Sequence, residues 1–315
     1  MIFLDGYSAQ GITRGKQGYK YAMNSSPSLS SPIELPFEAL ALLKTARRVE
    51  TPCGAASLVW HVWGEASCVK GRPPVVLFHG GSGSWTHWLL NIAALVESGR
   101  CVYVPDLPGF GDSAVPPEGT DADVCFDPVE AGLKLLLGET PCELVGFSFG
   151  GMVAGFLTAQ YPARVSRLVL VGAPGFGISN ERALRLNAWR HLTDSTQRDD
   201  VHRKNLAALM LYRPEAITEL ALRLHVANVL RDRMQGRKLS RTDVLARSLV
   251  NVTCPIDAIY GAEDALYKGN MPALETALRQ VPQLKTLTLI NGAGHWIQFE
   301  NAEAFNAALL EVLSA

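Results

Sequence analysis

Apolar runs of two kinds divide this chain. Residues 47–51 and 57–63 are β-rich runs separated by Pro52-Cys53-Gly54, a hairpin signal. The second run alternates, putting Leu58, Trp60 and Val62 on one face, as in an antiparallel strand with one wet face. On that reading His61 is a surface histidine. Residues 74–78, 101–105, 142–145 and 167–171 are apolar without alternation, the pattern of strands buried on both faces of a parallel sheet. Helical patterns over 88–97, 127–138 and 152–161 separate them. This alternation predicts an α/β architecture, a mostly parallel, eight-stranded doubly wound sheet with right-handed crossovers.

The rhythm breaks between 178 and 250, where the periodicity predicts helices over 181–192, 198–211, 215–234 and 242–249. Strand 254–260, helix 272–281, strand 284–290 and helix 301–313 then complete the sheet pattern. The expected organisation is a core of residues 33–177 and 251–315 carrying a helical cap, 178–250. Residues 1–32, with Ser25-Ser26-Pro27 at their polar end, read as a poorly ordered leader, and Met23 is an alternative start. Arg231, Asp232 and Arg233 read as a solvated helix face, while Trp189, Met210, Leu211 and Tyr212 read as the core of the cap.

Composition narrows the function classes. The 315 residues are 48% hydrophobic and 19% charged, which excludes general disorder. A formal net charge of −1 without a basic run gives no footprint for nucleic acid or an anionic membrane. No apolar run reaches the roughly 18 residues that span a bilayer. The six cysteines stand singly, without a C-x-x-C pair, which predicts neither a zinc site nor a disulfide framework and fits a reduced, cytoplasmic setting.

Candidate chemistry sits where the strand patterns end. Leu144-Val145-Gly146-Phe147-Ser148-Phe149-Gly150-Gly151 compresses a strand end, a Gly-x-Ser-x-Gly turn and a helix start. A serine hydroxyl is a weak nucleophile, and such an elbow lifts it clear of the sheet beside a base. His79-Gly80-Gly81 follows another strand and lets backbone N–H groups approach a developing oxyanion. Asp106, in Asp106-x-Pro-Gly-x-Gly-x-Ser113, reads as the organiser of its glycine turns. Asp264 and His295 follow two later strands. Serine, acid and histidine thus fall in chain order at the sheet edge where ligands bind in open α/β sheets. Glu263 and Asp257 compete with Asp264, but Asp257 lies within its strand and Glu263 comes one residue early.

From about residue 46 onward these motifs, with Gly261-x-x-Asp264 and Gly294-His295, resemble the α/β-hydrolase superfamily. The resemblance implies Ser148 as nucleophile, His295 as general base and acid, Asp264 as its orienting carboxylate, and the N–H groups of Gly81 and Phe149 as the oxyanion hole. It implies no cofactor and no metal. Ser82-Gly83-Ser84-Trp85 and Gly294-His295-Trp296-x-Gln298-x-Glu300 further resemble the meta-cleavage-product hydrolases, which cut a carbon–carbon bond in vinylogous 1,5-diketones. By that resemblance Trp296, Asn91 and Arg190 are substrate contacts. Phe147 and Trp189 are further candidates for the pocket. Those hydrolases usually read Asn-Ser-Met-Gly-Gly at the elbow, whereas Phe147 and Phe149 flank the serine here. The expected function is therefore a serine hydrolase acting through an acyl-enzyme on a small, largely apolar carboxylic ester. The alternatives are C–C bond hydrolysis and a slow-turnover small-molecule receptor of the same fold. Perhydrolase chemistry is a side reading. The expected partner is a small-molecule substrate, and a homo-oligomer is compatible with the sequence.

Overall fold

The unalternating apolar runs form the interior of a single sheet. The structure, a computed structural model, describes residues 34–178, 184–234 and 236–314. The leader expected over 1–32 lies outside the described residues. Eight strands, β1 (Arg47–Cys53), β2 (Ala56–Trp63), β3 (Val75–Phe78), β4 (Val102–Pro105), β5 (Cys142–Phe147), β6 (Val165–Val171), β7 (Ile256–Gly261) and β8 (Leu284–Ile290), stand in the order β1-β2-β4-β3-β5-β6-β7-β8. Strand β2 alone runs against its neighbours, and the pairings from β4 to β8 are all parallel.

Helices α1 (Phe37–Leu43), α2 (Ile92–Glu97), α3 (Phe126–Leu137) and α4 (Phe149–Gln160) precede a long insertion after β6 that holds α5 (Ser195–Asn205), α6 (Glu219–Leu230) and α7 (Val244–Leu249). Helices α8 (Met271–Arg279), α9 (Ile297–Glu300) and α10 (Ala302–Val312) come after it. Alternate strand residues serve opposite cores. Val76, Phe78 and Leu144 pack with Val129 of α3, Met152 of α4 and Leu274 of α8, whereas Val75, Leu77 and Val145 pack with Ala39, Ile92 and Phe305 of α1, α2 and α10.

Covering both faces corrects the reading of β2. The hydrophobic alternation is real, but α3 covers Trp60 while Trp85 and the α1 side cover Trp63. His61 is accordingly buried, its ring 5.5 Å from that of Trp85 and 6.0 Å from that of Trp63. Burial lowers its pKa.

In the insertion the helix expected over 198–211 is present as α5 with a π-helical continuation to Met210, while the other expected helices are shorter or absent. Residues 184–192 carry no helix, and 181–183 lie outside the described residues. Asp194 accepts from the Gln197 N–H and Thr218 from the Ala221 N–H, so these caps fix the starts of α5 and α6. Pro214 opens only a single 3₁₀ turn, Pro214–Ala216, ahead of α6. The expected helix over 215–234 stops at Leu230, and Arg231, Asp232 and Arg233 beyond it do not form a solvated face. Arg233 donates through its backbone to the Gly109 carbonyl and through its guanidinium to the carbonyls of Phe110, Gly111 and Ser113. Arg231 pairs with Asp112 at 3.2 Å. The glycine-rich loop over 106–113 has carbonyls that no strand or helix satisfies, and arginine's planar fork of donors suits them.

Candidate active site

Strand β5 runs out at Phe147, and Ser148 takes φ 51°, a left-handed conformation that strains a non-glycine residue by about 1–3 kcal/mol. The fold holds it there. The Ser148 N–H donates to the Val171 carbonyl at 2.8 Å, and α4 begins at the next residue. A β-carbon on Gly146 would sit 2.5 Å from the Gly150 carbonyl oxygen, so the glycines of the motif answer a steric demand.

Two other strand ends supply the remaining groups. Asp264 follows β7 and caps a short 3₁₀ turn, its Oδ1 accepting from the Leu266 N–H at 2.9 Å. Its Oδ2 lies 2.8 Å from His295 Nδ1, and His295 Nε2 lies 2.9 Å from Ser148 Oγ. A carboxylate can only accept, so Nδ1 carries the proton and Nε2 is left as the acceptor facing the serine hydroxyl. All of Asp264 and nearly all of His295 are shielded from solvent. The competing acids are placed elsewhere. Asp257 pairs with Arg167 at 2.6 Å and accepts from Thr286, and Glu263 is exposed.

The glycine loop after β3 is held with comparable care. His79 Nε2 accepts from the Leu107 N–H and its Nδ1 donates to the Gly80 carbonyl, each at 2.8 Å, while the Gly80 N–H donates to His87 Nδ1 at 3.2 Å. Both roles require neutral imidazoles, and complete burial pushes both pKa values down, that of His87 well below the ordinary value. Gly81, so presented, lies beside the elbow: a β-carbon on it would meet that of Phe149 at 3.6 Å. The Gly81 N–H has no acceptor among the described residues. The first N–H groups of α4, Phe149 included, likewise have no intrahelical partner. Asp106 plays the organising part its motif predicts, accepting from the N–H groups of Trp85 (2.8 Å) and Asp112 (2.9 Å).

Over these groups lies a cavity of about 810 Å³. Phe147, Ser148 and His295 line its floor, and Leu186, Arg190 and Met210 of the insertion line its roof. A smaller cavity of about 220 Å³ adjoins it beside Trp189 and His225. Burial, with His202 alongside, pushes the His225 pKa down to about 3. Arg190 lies over the Trp189 ring at 4.7 Å. Two expected contacts are not on the cavity wall. Asn91 is fully buried and donates to the Gln298 carbonyl and to Asn306, tying α2 to the C-terminal helices. Trp296 is buried too, stacked 4.3 Å from Phe299 and donating from Nε1 to the His87 carbonyl. In both cases the side-chain donor is taken up by internal hydrogen bonding.

One positioning residue escapes the sequence reading. Glu300 accepts from the N–H groups of Gly294 and Arg213, each at 2.6 Å, and of Tyr212 at 3.1 Å, joining the histidine turn to the insertion. Its signal is a carboxylate five residues past the histidine, closing Gly294-His295-Trp296-x-Gln298-x-Glu300. Among the described residues no three His, Cys, Asp or Glu side chains group as a metal site, all six cysteines are free thiols, and no helix is long and apolar enough to cross a membrane.

Comparison with known proteins finds relatives of the same fold. Residues 73–210 match the family described as alpha/beta hydrolase fold. A 2-hydroxy-6-oxononadienedioate/2-hydroxy-6-oxononatrienedioate hydrolase of Burkholderia vietnamiensis is 29% identical over 259 residues, 77% of this chain and 88% of that protein. The 2-hydroxy-6-oxo-6-phenylhexa-2,4-dienoate hydrolase of Burkholderia cepacia is 26% identical, over 76% of this chain and 87% of the relative. Among solved structures, the carboxylesterase CesB of Bacillus subtilis superposes with TM-score 0.67 at 21% identity, covering 87% of this chain and 93% of its own. The meta-cleavage product hydrolase CumD of Pseudomonas fluorescens superposes with TM-score 0.65 at 25% identity, covering 84% and 96%.

Proposed function

We propose that this chain, whose fold is that of the α/β-hydrolases, is a serine hydrolase working through Ser148, His295 and Asp264 and an acyl-enzyme on a carboxylic ester. One observation carries the reading: the unbroken chain of hydrogen bonds from Asp264 through His295 to Ser148, at 2.8 and 2.9 Å, opening into the cavity. His295 Nε2 takes the hydroxyl proton as Ser148 Oγ attacks the ester carbonyl, and Asp264 stabilises the imidazolium. The tetrahedral oxyanion is met by the N–H groups of Gly81 and Phe149. Collapse expels the alcohol, protonated by His295, and leaves acyl-Ser148. A water deprotonated by His295 then releases the acid. Phe147 and Phe149 favour an apolar acyl group beside the serine, whereas Arg190 and Trp189 receive the far end of the substrate.

A second reading, hydrolysis of a carbon–carbon bond in a dienone acid, is favoured by the names of the two relatives, which specify such compounds. The fully buried Phe147 ring, packed 5.0 Å from that of His295, offers no polar group beside the serine and supports the ester instead. A fluorophosphonate probe is expected to label the wild type and not Ser148→Ala, and equal labelling of both would overturn the nucleophile. Turnover of short p-nitrophenyl esters against a dienone acid then separates the two readings, and a single-turnover burst without further hydrolysis would mark a receptor.

A further inference from the structure

Among the described residues only two non-glycine positions take positive φ: Ser148 at 51° and Ser82 at 50°. The elbow accounts for the first. Ser82, one residue beyond Gly81, stands in the tight turn that follows β3, and a side chain held at positive φ persists only where its surroundings over-determine it. Those surroundings come from the insertion. Ser82 Oγ donates to Asp232 Oδ2 at 2.5 Å and accepts from Arg237 Nη2 at 3.2 Å. Arg237 in turn holds both Asp232 oxygens at 3.0–3.1 Å and donates to the Met234 carbonyl at 2.6 Å.

The same guanidinium reaches the other side of the site. It lies over the rings of Phe110 and Phe149, 5.3 and 5.7 Å from their centroids, and a β-carbon on Gly81 would stand 3.6 Å from Nη2. Gly81, the most freely rotating residue type, is thus pinned from both ends. The sheet side pins Gly80 through His79 and His87, and the insertion pins Ser82.

We propose that Ser82, Asp232 and Arg237 form a clasp by which the helical insertion positions the Gly81 amide, making them positioning residues for oxyanion stabilisation. This rests on the reading of Gly81 as an oxyanion donor. With the clasp intact the amide is aimed before substrate arrives, and aim matters because donors act only at the place where charge develops. Without it Ser82 relaxes to negative φ and the amide turns away, leaving substrate binding largely as it was. Deleting a donor outright costs on the order of 10²–10³ in kcat, so a misdirected one costs less.

The test compares Ser82→Ala, Ser82→Gly and Asp232→Asn with wild type, using p-nitrophenyl acetate for kcat and KM and an aryl trifluoromethyl ketone, which forms a charged tetrahedral adduct, for transition-state affinity. Expected is a fall in kcat of about 10- to 100-fold for Ser82→Ala and Asp232→Asn, with KM within about threefold and ketone affinity falling in step with kcat. Ser82→Gly, which takes positive φ without strain, recovers much of the loss. The clasp is overturned if both variants keep kcat within about twofold, if the loss sits in KM, or if glycine is no better than alanine. Wild type that turns over and labels at Ser148 beside unaffected variants sinks the clasp alone. Wild type that does neither sinks the serine-hydrolase reading and the clasp with it.

Discussion

The C-terminal edge of the sheet and the insertion above it form two walls of one cavity, and they are built differently. At the sheet edge Ser148, Asp264 and His295 each sit one to five residues beyond a strand whose register is fixed by its neighbours, the acid and the histidine buried and the serine half-buried. In the insertion the wall is irregular. A π-helical turn, Leu206–Met210, follows α5, Leu186 is 54% exposed, and Arg190 lies out in solvent over Trp189. The difference reflects what each must do. Proton transfer needs heavy atoms held near 2.8 Å, which only a rigid framework supplies, whereas shaping a pocket tolerates ångström-scale variation. The clasp over Ser82 is the exception, a part of the insertion held as tightly as the sheet.

The sharpest test of this contrast pairs two acids. Asp264→Asn is expected to lower kcat about 10⁴-fold with the fold unchanged, since the amide favours the wrong imidazole tautomer. Asp257→Asn, near the start of β7, is expected to leave kcat within a few-fold and to lower stability, because it weakens the buried pair with Arg167. Turnover measured beside urea unfolding separates the two, and loss of activity in Asp257→Asn at intact stability would contradict the assignment.

A smaller effect tests the buried histidines. His79, His87 and His225 have lowered pKa values in the fold, through burial above all. The unfolded chain protonates them near pH 6.5 while the folded chain does not, so the unfolded state binds more protons and stability falls as pH drops below about 6.5. The slope is about 1.4 kcal/mol per pH unit for each histidine that stays neutral. His61 and His202 are shifted down by burial as well, while Glu143, whose pKa burial raises, acts in the opposite sense. Urea unfolding at pH 7 and pH 5.5 should show the loss, and equal midpoints would argue against neutral, buried imidazoles.

The smallest expected change is in the roof of the pocket. Arg190→Ala should raise KM a few-fold for substrates with an anionic tail and leave kcat and stability unchanged, as an exposed group that contacts substrate but not the reacting atoms should. A matching fall in kcat would place Arg190 closer to the chemistry than the cavity geometry does.

Much of the architecture is legible in residue order. The strands announce themselves because burial on both faces demands unbroken apolar runs, and the elbow because a turn that tight leaves no room for side chains at Gly146 and Gly150. Ser148, Asp264 and His295 stand out because each follows such a strand. Asn91 and Trp296 mislead for the opposite reason: their chemistry suits a ligand, but partners distant in sequence, Asn306 and the His87 carbonyl, claim it. The helix bounds in the insertion are misread because periodicity does not register the starts that Asp194 and Thr218 set or the break at Pro214.

Local sterics and the burial of apolar runs act between near neighbours, so the sequence by itself determined the alternating architecture, the sheet interior and the three residues at its edge. Hydrogen bonds and ion pairs between distant segments depend on where the chain has already been brought. The burial of His61, the duty of Glu300 and the hold of Asp232 and Arg237 on Ser82 were therefore decided only in the tertiary structure.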